Sequence, residues 1–236
     1  MVAGSKGATD MIYITGDTHI PVDISKLSTK RFPAQKNLCA EDYVIICGDF
    51  GGLWDHSSEE QYWLKWLNKK KFTTLFVDGN HENYKMLNEE FPIIQFCGGN
   101  AHRINEKLFH LMRGQVFHIN NKKIFTMGGA SSLDRAVRKE WKNWWTQEMP
   151  SPDEYQTAMN NLNAVDWKVD YVVTHCSPNS IQRQIRPEYE ENELTCFFEK
   201  IKEMLEFKRW FFGHYHVDKI VDDRYFCLFE TIHEIG

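Results

Sequence analysis

Seven side chains with metal-binding atoms stand directly after short apolar runs. Gly16-Asp17-Thr18-His19 follows MIYIT, Gly48-Asp49 follows YVIIC, and Gly79-Asn80-His81-Glu82 follows TLFVD. His175 follows YVVT, and Gly213-His214-Tyr215-His216 follows WFF. Asp17, His19, Asp49, Asn80, His175, His214 and His216 offer carboxylate, amide and imidazole donors without sulfur. Such a set suits Mn, Fe, Zn or Co better than Ca²⁺ or Cu⁺. It is too large for a single ion and sufficient for two if one carboxylate bridges. A glycine before a ligand lets the chain turn sharply and brings backbone close to an ion or phosphate.

The elements that must position these residues follow from the apolar patterns. Met11–Thr15, Tyr43–Cys47 and Thr74–Val77 read as buried strands. Between the last two, Tyr62, Trp63, Trp66 and Leu67 have helical spacing, which predicts a helix over 59–69 and a parallel strand–helix–strand unit. Leu108–Met112, Val116–Ile119 and Lys123–Met127 predict antiparallel strands, turning at Arg113-Gly114 and Asn120-Asn121. Ser151-Pro152-Asp153-Glu154 combines an N-cap, a first-turn proline and a capping-box Glu, so a helix should run to about residue 162. Tyr171–Thr174 and Trp210–Phe212 predict strands, Glu193–Phe207 a helix, and Lys219–Val221 with Phe226–Phe229 a hairpin. Strands in an early and a late group predict an α/β (α+β) fold, a two-sheet mixed β-sandwich flanked by helices. Strand ends lie side by side in a sheet, so the ligands can converge at one rim.

The order D-x-H, G-D, G-N-H-E, strand-end His and G-H-x-H resembles the calcineurin-like metallophosphoesterase family, from Gly16 to His216. The resemblance implies a two-sheet sandwich and a dinuclear metal-dependent phosphatase or phosphodiesterase. It implies that Asp17, His19 and His216 hold one ion, that Asn80, His175 and His214 hold the other, and that Asp49 bridges. Manganese is the first expectation for both ions, with Fe, Zn, Co and Ni also compatible. His81 would stabilise the phosphoryl group or protonate the leaving oxygen, oriented by Asp17 in some members. Catalysis would then rest on His81, Asp49 and Asp17, with in-line attack by a hydroxide bridging the ions. Two divalent ions bring roughly +4, the carboxylates roughly −2 and the hydroxide roughly −1. The site stays positive in a chain of formal net charge −5. Glu82 is expected in solvent, with anchoring of the loop as the alternative.

A protein Ser/Thr phosphatase-like enzyme is the runner-up reading. In that branch G-D-x-x-D-R-G supplies a phosphate-gripping Arg, and Gly48-Asp49-Phe50-Gly51-Gly52-Leu53-Trp54 lacks both that Arg and the second Asp. An inactive scaffold on the same fold is the reading from another class, and the filled ligand positions weigh against it. A small phosphorylated metabolite or nucleotide is the expected substrate. Gly128–Met149, rich in Trp and Arg, predicts either a tryptophan-faced helix packed on the sandwich or a lid whose Arg135 and Arg138 fork onto substrate phosphate. Arg183 and Arg186 are weaker candidates. His56, His102, His110, His118 and His233 read as surface or core histidines.

With 236 residues and 42% hydrophobic content, the chain can bury a full core. The expectation is one domain over 11–236, preceded by a disordered leader or cloning scar over 1–10. No apolar run reaches the ~18 residues of a bilayer span, and the acidic balance gives no strong nucleic-acid signal. Six scattered cysteines without a C-x-x-C pair indicate reduced thiols and a cytoplasmic protein.

Overall fold

Short runs rich in β-branched and aromatic residues form most of the strands, and several, among them β1, β8 and β10, end directly before a glycine. The computed structural model describes residues 11–132, 139–140, 142 and 144–235. In chain order the elements begin β1 (Ile12–Thr15), β2 (Tyr43–Ile46), α1 (Ser58–Asn68), β3 (Thr73–Phe76), α2 (Tyr84–Glu89), β4 (Ile93–Phe96), β5 (Gly99–Arg103) and β6 (Leu108–Leu111). Then follow β7 (Gln115–Ile119), β8 (Lys122–Met127), α3 (Pro152–Ala164), β9 (Tyr171–Thr174), α4 (Asn179–Ile185) and α5 (Glu193–Met204). The chain closes with β10 (Arg209–Phe212), β11 (Lys219–Val221), β12 (Tyr225–Cys227) and β13 (Ile232–Ile235).

One sheet has the order β13-β1-β2-β3-β6-β5-β4, the other β11-β12-β10-β9-β8-β7. β1, β2, β3 and β6 run parallel in the first. β8, β9, β10 and β12 run parallel in the second. The expected two-sheet mixed sandwich flanked by helices is therefore present. Ile12, Ile14, Ile45 and Leu75 of the first sheet pack with Phe117, Ile124, Val173 and Phe211 of the second. The alternate residues Tyr13, Val44, Ile46 and Phe76 face outward onto Leu67 and Trp63 of α1. On the far side Val172, Trp210 and Phe212 meet Leu162 of α3 and Phe198 of α5. Alternation in the sequence thus sorts side chains between an inner core and two outer ones.

One expectation needs correction. Leu108–Met112 and Val116–Ile119 do not form a hairpin, because β6 lies in the first sheet and β7 in the second. The Arg113-Gly114 corner carries the chain across the sandwich, and Arg113 is drawn inward by buried acceptors. The Asn120-Asn121 turn does close the β7–β8 hairpin, both residues having positive φ, as a primed turn requires. The β4–β5 hairpin and α4 were not anticipated. Within Gly128–Met149 the described residues contain no α-helix, only a 3₁₀ turn at Thr146–Glu148. Arg135 and Arg138 lie outside the described residues. Among the described residues no helix is long and apolar enough to cross a membrane.

Candidate metal centre

The carboxyl ends of β1, β2 and β3 open onto one rim, and those of β9 and β10 meet them from the other sheet. The first sheet thereby delivers Asp17, His19, Asp49, Asn80 and His81, the second His175, His214 and His216. Single ligand atoms of Asp17, His19, Asp49 and His216 all lie within 4.8 Å of one another. Asp49 sits between two imidazoles, with Oδ2 3.1 Å from His19 Nε2 and Oδ1 3.2 Å from His175 Nε2. Asn80 Oδ1 is 3.2 Å from the same His175 Nε2, and the His214 ring packs edge-on against His175 at 5.0 Å between centroids. His216 Nε2 lies 3.1 Å from Asp17 Oδ2. All seven expected ligands are brought together.

Local backbone geometry explains two of the glycines. A Cβ on Gly79 would stand 2.1 Å from Asp49 Oδ1, and one on Gly213 would stand 1.9 Å from Asp17 Oδ1. Only a residue without a side chain lets these carboxylates approach the loops. His19, Asp49, His214 and His216 have positive φ, a conformation that costs about 1–3 kcal/mol at each such residue and clusters at functional sites. The surrounding hydrogen bonds hold it: the His19 and Thr18 amides donate to the Asp49 carbonyl at 2.9 and 3.1 Å. The His81 amide donates to Asp49 Oδ1 at 2.7 Å, and the His214 amide to Asp17 Oδ1 at 3.0 Å.

The donor atoms fit divalent ions. His175 Nδ1 is 2.7 Å from the Cys47 carbonyl, which accepts only from an N–H. His19 Nδ1 is 2.8 Å from Asp23 Oδ2. A proton on each Nδ1 leaves each Nε2 with its lone pair toward Asp49, the tautomer a metal ligand requires. Two sets of lone pairs 3.1–3.2 Å apart repel unless a proton or a cation lies between them. Protein electrostatics expresses the same demand. Burial alone would raise Asp49, but the neighbouring His175 and His19 hold it well below the usual carboxylate range. Asp17, likewise opposed by burial, is lowered by His216 and His175. Although burial works against the charged ring, Asp49 pushes His19 up to about 9 and His175 up to about 10. The surrounding protein and His175 push His214 down to about 3.

Several supporting residues escaped the sequence reading. Glu82, expected in solvent, is buried, and its carboxylate accepts from the Phe50 amide at 2.8 Å and the Gly51 amide at 3.3 Å. Burial, reinforced by Asp49, raises it to about 8. Asp23, four residues beyond His19, could have been found from that spacing. Lys26, which nothing in its neighbourhood marks, is buried and donates to the Asp17 carbonyl at 2.6 Å. Arg186 donates to the Tyr215 carbonyl at 3.0 Å and so backs the His214–His216 loop, while Arg183 pairs with Glu191. His102 and His110 are core histidines, whereas His56 is exposed and lies 2.9 Å from Glu90.

The model of the family described as calcineurin-like phosphoesterase matches residues 11–218. No curated protein matches the chain.

Proposed function

The chain belongs to the calcineurin-like phosphoesterase family, and from that premise we propose that it hydrolyses a phosphate mono- or diester of a small metabolite or nucleotide with two divalent ions, manganese first among them. The observation that carries this reading is Asp49, whose two carboxylate oxygens each face a different imidazole across 3.1 and 3.2 Å. That is the placement asked of a bridging ligand.

On this reading Asp17, His19 and His216 hold one ion, Asn80, His175 and His214 the other, and Asp49 both. When bound, the ions supply an acidified water for in-line attack and positive charge for the phosphoryl oxygens. Asp23 and the Cys47 carbonyl hold the imidazoles of His19 and His175 in orientation and tautomer. Glu82 fixes the loop after Asp49 by its two backbone contacts. His81, anchored through its amide and packed edge-on to His19 at 5.4 Å between centroids, protonates the leaving oxygen or steadies the phosphoryl charge. Arg135 and Arg138 are proposed to grip the phosphate. Arg135→Ala or Arg138→Ala should then lower kcat/KM by roughly 1.5–3 kcal/mol, and wild-type kinetics in both would dismiss them. A cytoplasmic setting belongs to the same proposal, supported by six free cysteines.

Elemental analysis of purified protein should find up to two transition-metal ions per chain, and a chelator should abolish hydrolysis of p-nitrophenyl phosphate or its bis ester. Hydrolysis that persists in chelator, without transition metal in the protein, would overturn the proposal.

A further inference from the structure

A cavity of about 300 Å³ opens beside the metal centre, bordered by His19, His81, Gly51, Gly52, Trp54 and Glu60. It is at the small end of the range for ligand pockets. Asp55 and Glu59 also line it, and among the described residues no Lys or Arg does. The cavity touches His81, and where His81 serves as the leaving oxygen's proton donor the alcohol side of the ester falls here.

Asp55, Glu59 and Glu60 give the cavity its negative character, and Glu60 stands between it and a second cavity lined by His56. Glu60 is buried, and one oxygen, Oε2, accepts the amides of Trp54, Asp55 and His56 at 2.7, 2.8 and 3.1 Å. The other, Oε1, is shielded from water and has no hydrogen-bond partner among the described residues. His56 Nδ1 stands 3.9 Å from it, too far to donate. A buried carboxylate with one oxygen unsatisfied is costly unless a donor or cation approaches. Trp54, held edge-on against buried Trp145 at 5.4 Å and by Asn83 donating to its carbonyl at 2.7 Å, forms a rigid aromatic wall. An aromatic face beside carboxylates suits a cationic group or one rich in N–H donors.

Resting on the phosphoesterase reading, we propose that this cavity is the leaving-group subsite, selecting a leaving alcohol that carries a cationic or N–H-rich group. An anionic group would meet Asp55, Glu59 and Glu60, with no Lys or Arg among the described residues of the lining. A planar amine-bearing ring or an ammonium group would meet Trp54 and those carboxylates favourably.

Three para-substituted phenyl phosphates test this with metal-loaded protein: 4-(aminomethyl)phenyl, 4-(hydroxymethyl)phenyl and 4-carboxyphenyl phosphate. The kcat/KM ratio of the cationic to the anionic ester should be about tenfold or more, the scale of roughly 1.4 kcal/mol, with the neutral ester between. Glu60→Gln keeps an amide oxygen for the three backbone donors and should shrink the ratio at least about threefold. The surface variant Asp55→Asn/Glu59→Gln should shrink it too, and added salt should weaken that part. A ratio taken within one preparation is unaffected by partial unfolding. Hydrolysis of all three esters with no cationic preference, or with the reverse, overturns the subsite and leaves the phosphoesterase reading standing. An undiminished preference in both variants overturns the assignment to these carboxylates. Hydrolysis of none of the three overturns the subsite, and if p-nitrophenyl phosphate and its bis ester are also left uncleaved the phosphoesterase reading falls with it.

Discussion

Two polar clusters are buried in this sandwich, and they are balanced in opposite ways. At the rim, Asp17 and Asp49 face the lone pairs of imidazoles, and proton or metal must come between. One residue before Gly79, Asp78 faces a finished set of partners. Arg113 Nε donates to its Oδ2 at 2.8 Å, Tyr84 donates to the same oxygen at 2.9 Å, and His110 Nε2 lies 3.0 Å from Oδ1. Arg113 extends the set to the Gln147 carbonyl at 2.8 Å and to Glu154 at 3.3 Å. Arg113 supplies the cation internally, and it lowers the Asp78 carboxyl against the opposing effect of burial. A buried cluster complete in donors and charge builds the fold; one left with converging acceptors calls for an ion. The two are distinguished by counting donors, since both contain Asp and His and both lie in buried surroundings.

The largest effect that can break this contrast lies at Asp49. Asp49→Ala removes the carboxylate shared by both imidazole sets, so both ions and essentially all turnover should be lost. His81→Ala is the matched control: it should keep both ions and lose roughly 10²–10⁴-fold in turnover, with a smaller loss for leaving groups as good as p-nitrophenolate. Metal content by elemental analysis separates the two. Near-normal metal in Asp49→Ala, or lost metal in His81→Ala, would reverse their roles.

The second cluster should respond in stability rather than metal content. Arg113→Ala leaves Asp78 buried and unpaired, which costs on the order of 3–5 kcal/mol. The double variant Asp78→Ala/Arg113→Ala should cost less than the sum of the singles, because the orphaned charge is gone. Denaturant unfolding measures this, and metal content in the folded variants should stay at the wild-type level. Metal lost alongside stability would mean that the cluster also positions Asn80, two residues beyond Asp78.

The rim cluster was legible in the sequence and the Asp78 cluster was not. Each rim ligand follows a short apolar run and most follow a glycine, so strand and ligand are written next to each other. The capping box at Ser151 to Glu154 was legible for the same reason, and α3 begins at Pro152 with both reciprocal bonds made. Asp78 follows β3, while His110 lies in β6 and Arg113 just beyond it, and no spacing in the sequence links the two places. Arg113-Gly114 has hairpin-turn chemistry, but the buried ion pair 35 residues away in sequence decides where the chain goes. For Glu82 the solvated reading fails and the loop-anchoring alternative holds, because the fold brings the Phe50 and Gly51 amides to it. The helix-or-lid choice for Gly128–Met149 falls largely on residues outside those described; among the described ones Trp145 is buried against Trp54, and Glu148 clasps the Ser132 amide and hydroxyl at 3.0 and 2.6 Å.

The smallest effect probes the far end of the Asp78 cluster. His102 Nδ1 lies 3.0 Å from His110 Nδ1, and the rings stack at 5.3 Å between centroids. His110 accepts there from His102 if its own proton is on the Nε2 that faces Asp78, so the chain is satisfied with both rings neutral. Burial, reinforced by His110, pushes His102 down to about 4 from its ordinary 6.5. The unfolded chain therefore binds a proton at His102 more readily than the folded one. The stability contributed is fully present above pH 6.5, falls as pH drops from 6.5 to about 4, and changes no further below that. The shift corresponds to roughly 2–3 kcal/mol over the window. Unfolding free energies at pH 7.5 and 4.5 should thus fall more steeply in wild type than in His102→Gln by about that amount. The other titrating groups, including the rim histidines, are common to both proteins and cancel in the difference. Parallel pH curves would mean that His102 takes up its proton in the folded state at an ordinary pH, and the cluster could not then be one that is satisfied without it.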